Sequence, residues 1–596
     1  MNYNLNDLNE SNVNKSAFSG LKKLLQLISG EKKVLLLALA AILINSVLLL
    51  LGPLIVGHVI DNYVYTKKYD GVLLYSGLLL MMYLVTLATG YWQTKLMGGV
   101  GQRMLYTLRN AIFNKLQELP VSFFNQNKAG DLISRVNNDT DKLNQFFSQS
   151  LMQFIGSIIG MFGAGIFLLS INIELGAAAL SPALLILLIT AVLSPWVKRK
   201  NALNLKSLGG LSAEIQESLN NFKVIIAFNR RDYFRKRFDE ANTANYKTAI
   251  AAGLSNTIFV PIYGLFSGAA QLIVLIFGIY LITIHQFTVG LLVSYFAYTI
   301  NFYNPLRQLA ALWSSFQVAM ASWERISIIL ALENDLADHS LVVSDSTTLS
   351  DATKGEVPVL LEFKHVHFSY TEDKEILHDI NLKFEKGKTY ALIGPTGGGK
   401  TTTASLIARL YDPTKGEVLL NGQNMRSITA AARSQKIGFI LQEPFLFTGT
   451  VRENILYGNT AYQSYTNKEL GAVIAEANLE ELIAIFDEGL ETPVTSGADN
   501  ISLGQKQLIA FMRAVLRNPE LLILDEATAN IDTITEQLLS AILKKLPKET
   551  TLVIIAHRLN TIENADEIYF VNSGEVLKAG TLQHAMEMLL QKKRSS

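Results

Sequence analysis

Cysteine is absent from the 596 residues. Disulfides, thiolate metal sites and cysteine nucleophiles are therefore excluded. Charge is scarce as well: Asp, Glu, Lys and Arg make up 17% of the chain, while hydrophobic residues make up 49%. Soluble domains carry roughly 25% charged residues, so the shortage points to membrane segments. Neither sign of charge is in excess. The net charge of +1 averages two unlike halves and gives no reason to expect a nucleic-acid partner. The first 30 residues, with Asn2, Asp7, Glu10 and Asn14, lack the apolar run of a secretory signal. Insertion into a membrane is then expected from the spanning helices themselves. No internal repeat is evident, so each half of the chain is present once.

Long apolar runs occupy residues 34–60, 72–91, 151–171, 175–197, 259–284 and 289–303. Each approaches the ~20 residues that cross a bilayer, which predicts six transmembrane helices. The last is interrupted by Asn301, Asn304 and Pro305. Short gaps follow the first, third and fifth runs, at 61–71, 172–174 and 285–288. Long gaps at 92–150 and 198–258 are rich in charge and helix formers. Lys15, Lys22, Lys23, Lys32 and Lys33 precede the first helix, and Lys198, Arg199 and Lys200 follow the fourth. Basic flanks mark cytoplasmic ends, so both termini and both long connections are expected in the cytoplasm, with Lys67 and Lys68 a small exception. Residues 18–28 carry apolar positions at helical spacing with lysines between them. They read as an interfacial helix on the inner leaflet, the alternative being a disordered leader. Residues 334–358 are acidic and Ser/Thr-rich, as a linker is. From residue 359 short apolar strands alternate with helical patterns, which predicts an α/β domain with a mostly parallel sheet. The expected division is a cytoplasmic leader at 1–33, a membrane domain at 34–325, a linker at 326–358 and the α/β domain at 359–596.

Gly394-Pro395-Thr396-Gly397-Gly398-Gly399-Lys400-Thr401 satisfies G-x-x-x-x-G-K-S/T. The motif follows a predicted strand at 389–393 and opens a helix at Thr402, the context that a phosphate-binding loop requires. Glycines let backbone N–H groups turn inward onto phosphate oxygens, and the helix N-terminus adds its dipole. Lys400 supplies a point charge to the β- and γ-phosphates, and the Thr401 hydroxyl is placed to ligate Mg²⁺. A second apolar strand, Leu521-Leu522-Ile523-Leu524, delivers Asp525 and Glu526. Asp525 is assigned to the metal, directly or through water, and Glu526 to the general base. Alone, such an acidic pair is as often a helix cap.

Asn500-Ile501-Ser502-Leu503-Gly504-Gln505-Lys506-Gln507 resembles the L-S-G-G-Q signature of the ABC ATPases. Further motifs of that family occur in its order. Tyr370 matches the aromatic residue that stacks on adenine. Gln442, in Leu441-Gln442-Glu443-Pro444, matches the glutamine that touches Mg²⁺ and faces the membrane domain. Asp532 matches the aspartate of the dimer-crossing loop, and His557 the switch histidine that reads the γ-phosphate. Singly, each residue is ordinarily structural; their joint order around a phosphate loop carries the resemblance. The chain thus resembles the half-transporter exporters in which a six-helix all-α membrane domain precedes an α/β P-loop ATPase domain, including bacterial multidrug and lipid exporters. The resemblance implies ATP and Mg²⁺ as cofactors. It implies residence in a bacterial cytoplasmic membrane, lipid contact and export of a hydrophobic or amphipathic substrate. It also implies that each ATP is held between the phosphate loop of one domain and Ser502, Gly504 and Gln505 of another, so that a second half-transporter is needed. The segments around Phe123-Phe124-Asn125-Gln126 and Asn221-Phe222-Lys223 to Phe228 correspond to the family's short helices that seat on the ATPase domains. A simple helical turn is the other reading of each.

Three positions depart from the family pattern. Leu503 replaces the first glycine of the signature pair, the stretch 494–499 lacks the glutamate of V-G-E-x-G, and Ala529 stands where serine is usual. All three serve the opposite subunit's nucleotide, while Lys400, Thr401, Gln442, Asp525, Glu526 and His557 serve this chain's own. That asymmetry resembles the catalytically intact member of a heterodimeric exporter and favours a heterodimer over a homodimer. An importer is disfavoured because importers separate the two domains. A nucleotide-gated channel or a non-transporting ABC protein is the alternative function. Phe259, Tyr263, Gln271, Tyr295, Tyr298 and Phe302 are the aromatic and polar positions offered to a substrate.

Overall fold

A computed structural model of the chain describes residues 3–5, 7, 29–334, 336, 358–371, 374–495, 500–525, 533–555, 562 and 565–593. The expected interfacial helix at 18–28 and most of the linker lie outside the described residues. The chain forms two compact units. One holds Leu5–Gln117 and Ala129–Ala331; the other holds Met1–Asn4, Glu118–Lys128 and Leu332–Ser596.

The first unit is helical. Its principal helices are α1 (Lys32–Val59), α2 (Tyr69–Glu118), then, after the short α3 (Val121–Gln126) of the other unit, α4 (Leu151–Ile171), α5 (Ile173–Asn220), α6 (Phe222–Ala227), α7 (Arg231–Thr257), α8 (Phe259–Thr283) and α9 (Val289–Ala331). Among the described residues five helical stretches are long and apolar enough to cross a membrane: Lys32–Val64, Tyr69–Glu118, Ala129–Ile171, Ile173–Asn220 and Arg231–Thr283. The expected sixth span is helical, as α9, but does not reach that apolarity. Asn301, Asn304 and the tyrosines Tyr295, Tyr298 and Tyr303 dilute its apolar residues. The helix also continues through Pro305 instead of ending there. Packing of α9 against α1, α4 and α8 holds it where a proline alone would weaken it.

The charge-rich gaps are helix rather than loop. At 1.5 Å per residue, the 50 residues of α2 extend ~75 Å, well beyond a ~30 Å hydrocarbon core. Pro120 follows its end, where the residue before proline leaves the helical region. Only Asn172 separates α4 from α5, and its side chain caps α5 by accepting from Leu175 N at 2.9 Å. Arg237 of α7 fixes that helix to α5 through Glu214 at 2.6 Å and Glu217 at 3.2 Å. These hydrogen bonds, Glu214 first, hold the guanidinium above its ordinary value.

The second unit is α/β. Strands β1 (Val359–Thr371), β2 (Lys374–Glu385), β4 (Lys415–Leu420) and β5 (Gln423–Asn424) form an antiparallel sheet in the order β2-β1-β4-β5. Strands β3 (Thr389–Ile393), β6 (Ile437–Ile440), β7 (Leu521–Asp525), β8 (Thr551–Ile555), β9 (Glu567–Asn572) and β10 (Glu575–Lys578) form the second sheet, ordered β10-β9-β3-β8-β7-β6. It is parallel except for the edge strand β10. Apart from Thr389, Thr551 and Asp525 at their ends, its central strands are apolar because both faces are covered. Leu392, Leu521, Ile523 and Val553 enter the core shared with the antiparallel sheet. Ile393, Leu522, Leu524 and Ile554 enter the core on the other face.

Candidate nucleotide site and coupling turn

The phosphate loop leaves the C-terminal end of β3 and runs into α10 (Lys400–Ile407). Its curl needs glycine at three places: Gly394, Gly397 and Gly399 have φ of 149°, 80° and 114°. A side chain at Gly394 would also collide with the carbonyl of Val571 on β9. The Lys400 ammonium, nearly buried, donates to Gly394 O at 2.9 Å and Pro395 O at 3.1 Å, so the cation sits across the loop. The Thr401 hydroxyl donates to Asp525 Oδ1 at 3.4 Å. A hydroxyl and a buried carboxylate facing each other beside a backbone cradle fit Mg²⁺ and a polyphosphate chemically, since both are oxygen donors of the kind Mg²⁺ takes.

Register explains why distant residues converge. Parallel pairing aligns Ile555 of β8 with Leu392 of β3 and with Asp525 of β7, and Ile440 of β6 with Leu524. Four strands therefore end at one edge, where open α/β sheets bind ligands. Asp525 closes β7 there, and Gln442, exposed, follows β6 by two residues. Glu526, Asp532 and His557 lie outside the described residues, as do 496–499 and Ala529.

The signature residues form a helix start elsewhere on the same unit. Ser502 caps α11 (Leu503–Val515): its hydroxyl accepts from Gln505 N at 3.2 Å while Gln505 Oε1 accepts from Ser502 N at 2.9 Å. This reciprocal cap leaves Leu503 39% exposed at the first helical position and buries Gly504.

Tyr370, expected at the adenine, is 43% exposed at the end of β1 and its hydroxyl lies 3.1 Å from Thr402 Oγ1. Its ring stands edge-on to Tyr411 at 5.1 Å and to Phe368 at 4.8 Å. Tyr411 in turn accepts a hydrogen bond from Asn125 Nδ2 of α3 at 2.7 Å. Burial pushes the Tyr411 phenol up, against the smaller lowering by Asn125, so it stays neutral. The turn α3 is thus joined by contacts to the loop helix through Tyr411 and Tyr370. Sequence reading missed Tyr411; the only signal was an aromatic residue before Asp412-Pro413 in a turn. Of the two segments expected to seat on ATPase domains, the one with α3 belongs to the α/β unit, whereas α6 lies in the helical unit with Phe222 and Phe228 exposed. Among the proposed substrate positions, Tyr295 and Tyr298 are fully buried, and their hydroxyls donate to Asn172 O at 2.8 Å and to Leu50 O.

Residues 35–306 match the ABC transporter transmembrane region, and residues 377–529 match the family described as ABC transporter. An uncharacterized ABC transporter ATP-binding protein of Bacillus subtilis, YfiC, is 32% identical over 94% of this chain and 91% of its own length. A fatty acid ABC transporter ATP-binding/permease protein of Mycobacterium tuberculosis is 32% identical over 84% of this chain and 78% of its own. A multidrug resistance ABC transporter ATP-binding and permease protein of Lactococcus lactis is 28% identical over 95% and 93%. With a phosphate loop at the edge of a parallel sheet, a capped signature helix and apolar helices preceding both, the chain belongs to the ABC transporters, as an integral membrane protein whose transmembrane region is fused to an ATP-hydrolysing domain.

Proposed function

We propose that the chain is one half of an exporter that uses ATP hydrolysis to move a hydrophobic or amphipathic molecule, drug-like or lipid-like, out of the cell by alternating access. The observation that carries this reading is the joining of α3, a turn between two membrane segments, to the adenine tyrosine through Asn125 and Tyr411. The names of the relatives, multidrug and fatty acid transporters, supply the substrate class. The tyrosine hydroxyls that α9 spends on carbonyls leave its packed interior apolar. We read α9 as the sixth span, because it packs among three of the apolar helices.

In this reading Gly394 to Thr402 bind the phosphates, Lys400 neutralises developing charge, Glu526 takes the proton of the attacking water and His557 senses the γ-phosphate. Thr401, Gln442 and Asp525 would hold Mg²⁺, which would supply positive charge to offset that of the phosphates. Asp532 organises the crossing to the second subunit. The domain limits are kept at 1–33, 34–325, 326–358 and 359–596, with both termini in the cytoplasm and the helices in a bacterial cytoplasmic membrane. The second subunit is supported by surfaces the chain leaves uncovered. None of the apolar stretch of α2 is buried within the chain, and Phe222, Phe228 and Leu503 are exposed. We favour a different half-transporter as that subunit, on the departures at Leu503, 494–499 and Ala529.

Reconstituted vesicles test the reading against its alternative. An exporter accumulates ethidium or oleate in inside-out vesicles only while ATP is hydrolysed. A nucleotide-gated channel lets ions run down a gradient with ATP merely bound, and a non-transporting protein does neither.

A further inference from the structure

Tyr3 stands outside the nucleotide site and has no accessible surface. Every group it possesses is engaged. Its N–H donates to Gln126 Oε1 at 2.7 Å, and its carbonyl accepts from Asn127 Nδ2 at 2.9 Å. Its hydroxyl donates to Glu333 O at 3.0 Å, and its ring stands edge-on to Phe123 at 6.2 Å. Asn127 Nδ2 also donates to Phe123 O at 2.8 Å, closing the end of α3. One residue thereby joins two segments 123 and 330 residues away, the turn α3 through its main chain and ring and the chain just past the end of α9 through its hydroxyl. Such complete satisfaction of a buried residue fixes the groups around it. Asn125, within the same turn, reaches Tyr411.

We propose that Tyr3 is a positioning residue for transport, a clasp that holds the turn α3 to the chain leaving α9 so that turn and ATPase domain move as one body. The proposal rests on reading α3 as the coupling turn. Without the clasp, ATP is still bound and cleaved at a site Tyr3 does not touch, while the turn slips relative to the ATPase surface and the membrane helices respond less.

The test uses the full chain in lipid nanodiscs with the subunits it assembles with, and compares Tyr3→Ala and Tyr3→Phe with wild type. Tyr3→Ala is expected to raise hydrogen exchange over residues 118–128 by about tenfold or more. Basal ATP hydrolysis should stay within about twofold, and ATP-dependent ethidium or oleate uptake into vesicles should fall about fivefold or more. Tyr3→Phe keeps the ring and both main-chain bonds, so it should leave 118–128 protected and loosen only 332–334. Unchanged exchange over 118–128 in Tyr3→Ala overturns the proposal. Faster exchange with transport and hydrolysis in the wild-type ratio also overturns it, as does an equal fall of both, which a purely structural role would give. If wild type itself moves neither probe, the export reading fails for them. The clasp is then judged by exchange at the outer ends of α1 and α9. Vanadate trapping of ADP after ATP cleavage should change it in wild type and change it about fivefold less in Tyr3→Ala; equal changes in both overturn the clasp.

Discussion

Lys400 and Tyr370 serve the nucleotide by different physics, and substitution separates them. The Lys400 ammonium spans the loop between Gly394 O and Pro395 O and places a positive charge in the cradle. Lys400→Ala should weaken ATP binding and abolish turnover at this chain's site. Tyr370→Ala should cost about 1–3 kcal/mol of binding, since stacking tolerates replacement by other contacts. Equilibrium binding of a fluorescent ATP analogue checks both, and equal losses would contradict the assignment. Glu526→Gln keeps the size and hydrogen bonding of the side chain but removes the base. ATP should remain bound while turnover at this site falls by about 10²-fold or more. ATPase near the wild-type rate in the purified complex would take the role of base away from Glu526.

At the scale of elements, the sequence made the ATPase half readable and the cytoplasmic helices less so. The strand before the phosphate loop, residues 389–393, and the apolar run 521–524 appear as β3 and the body of β7. Unbroken burial on both faces of a parallel sheet leaves a composition signal of just that kind. The third membrane run coincides with α4. The ends of α2 and α5 were not legible, because nothing in local composition marks where a helix leaves the bilayer and continues into water. Charges after residue 92 read as a connection, yet α2 runs on, and its Gly101 admits the side chains of Asn144 and Ser148 where a Cβ would collide with them. Tyr411 was illegible for a related reason: its role depends on Asn125, 286 residues away. A buried charge cluster was likewise invisible. Around the π-helical turn Arg135–Asp139, Arg135 donates to Asp131 at 2.9 Å and Arg325 to Asp131 at 2.6 Å. Asp139 pairs with Arg325 at 3.3 Å and with Lys142 at 3.1 Å. Arg135 is 1% exposed and its carboxylate partner is Asp131, so removing Asp131 leaves a buried cation short of a partner, whereas the cations paired with Asp139, Arg325 and Lys142, are a third or more exposed. Asp131→Asn, which orphans the buried Arg135, should destabilise the helical unit by about 3 kcal/mol, and Asp139→Asn, whose cations reach solvent, by less. Thermal unfolding in detergent at fixed lipid content measures the order, and a larger loss at Asp139 would refute it.

For the whole molecule the open question is what completes the second nucleotide site, and the chain's own asymmetry yields a prediction. In our reading the residues that serve its own ATP resemble the family's, and three of them, Lys400, Thr401 and Asp525, lie together at one sheet edge. The departures are all at positions that the family resemblance gives to the opposite subunit's nucleotide. Leu503 exposes its side chain at the first position of α11, where the family carries a glycine whose backbone approaches the partner's phosphates. On that reading a bulky apolar group there would obstruct the approach and offer phosphate no donor. We expect the chain expressed alone to give little ATPase, and to pair with a half-transporter that carries an intact L-S-G-G-Q and an altered catalytic glutamate or switch histidine. The partner's signature would then complete the competent site built on Lys400 and Glu526. This chain's signature would border a site whose own base is defective. Leu503→Gly should therefore change turnover of the paired complex little, because clearing the approach does not restore a missing base. In a homodimer the same substitution improves both sites at once, and turnover should rise clearly. Purified single-subunit protein decides between them: robust ATPase from one kind of chain, raised further by Leu503→Gly, would defeat the heterodimer.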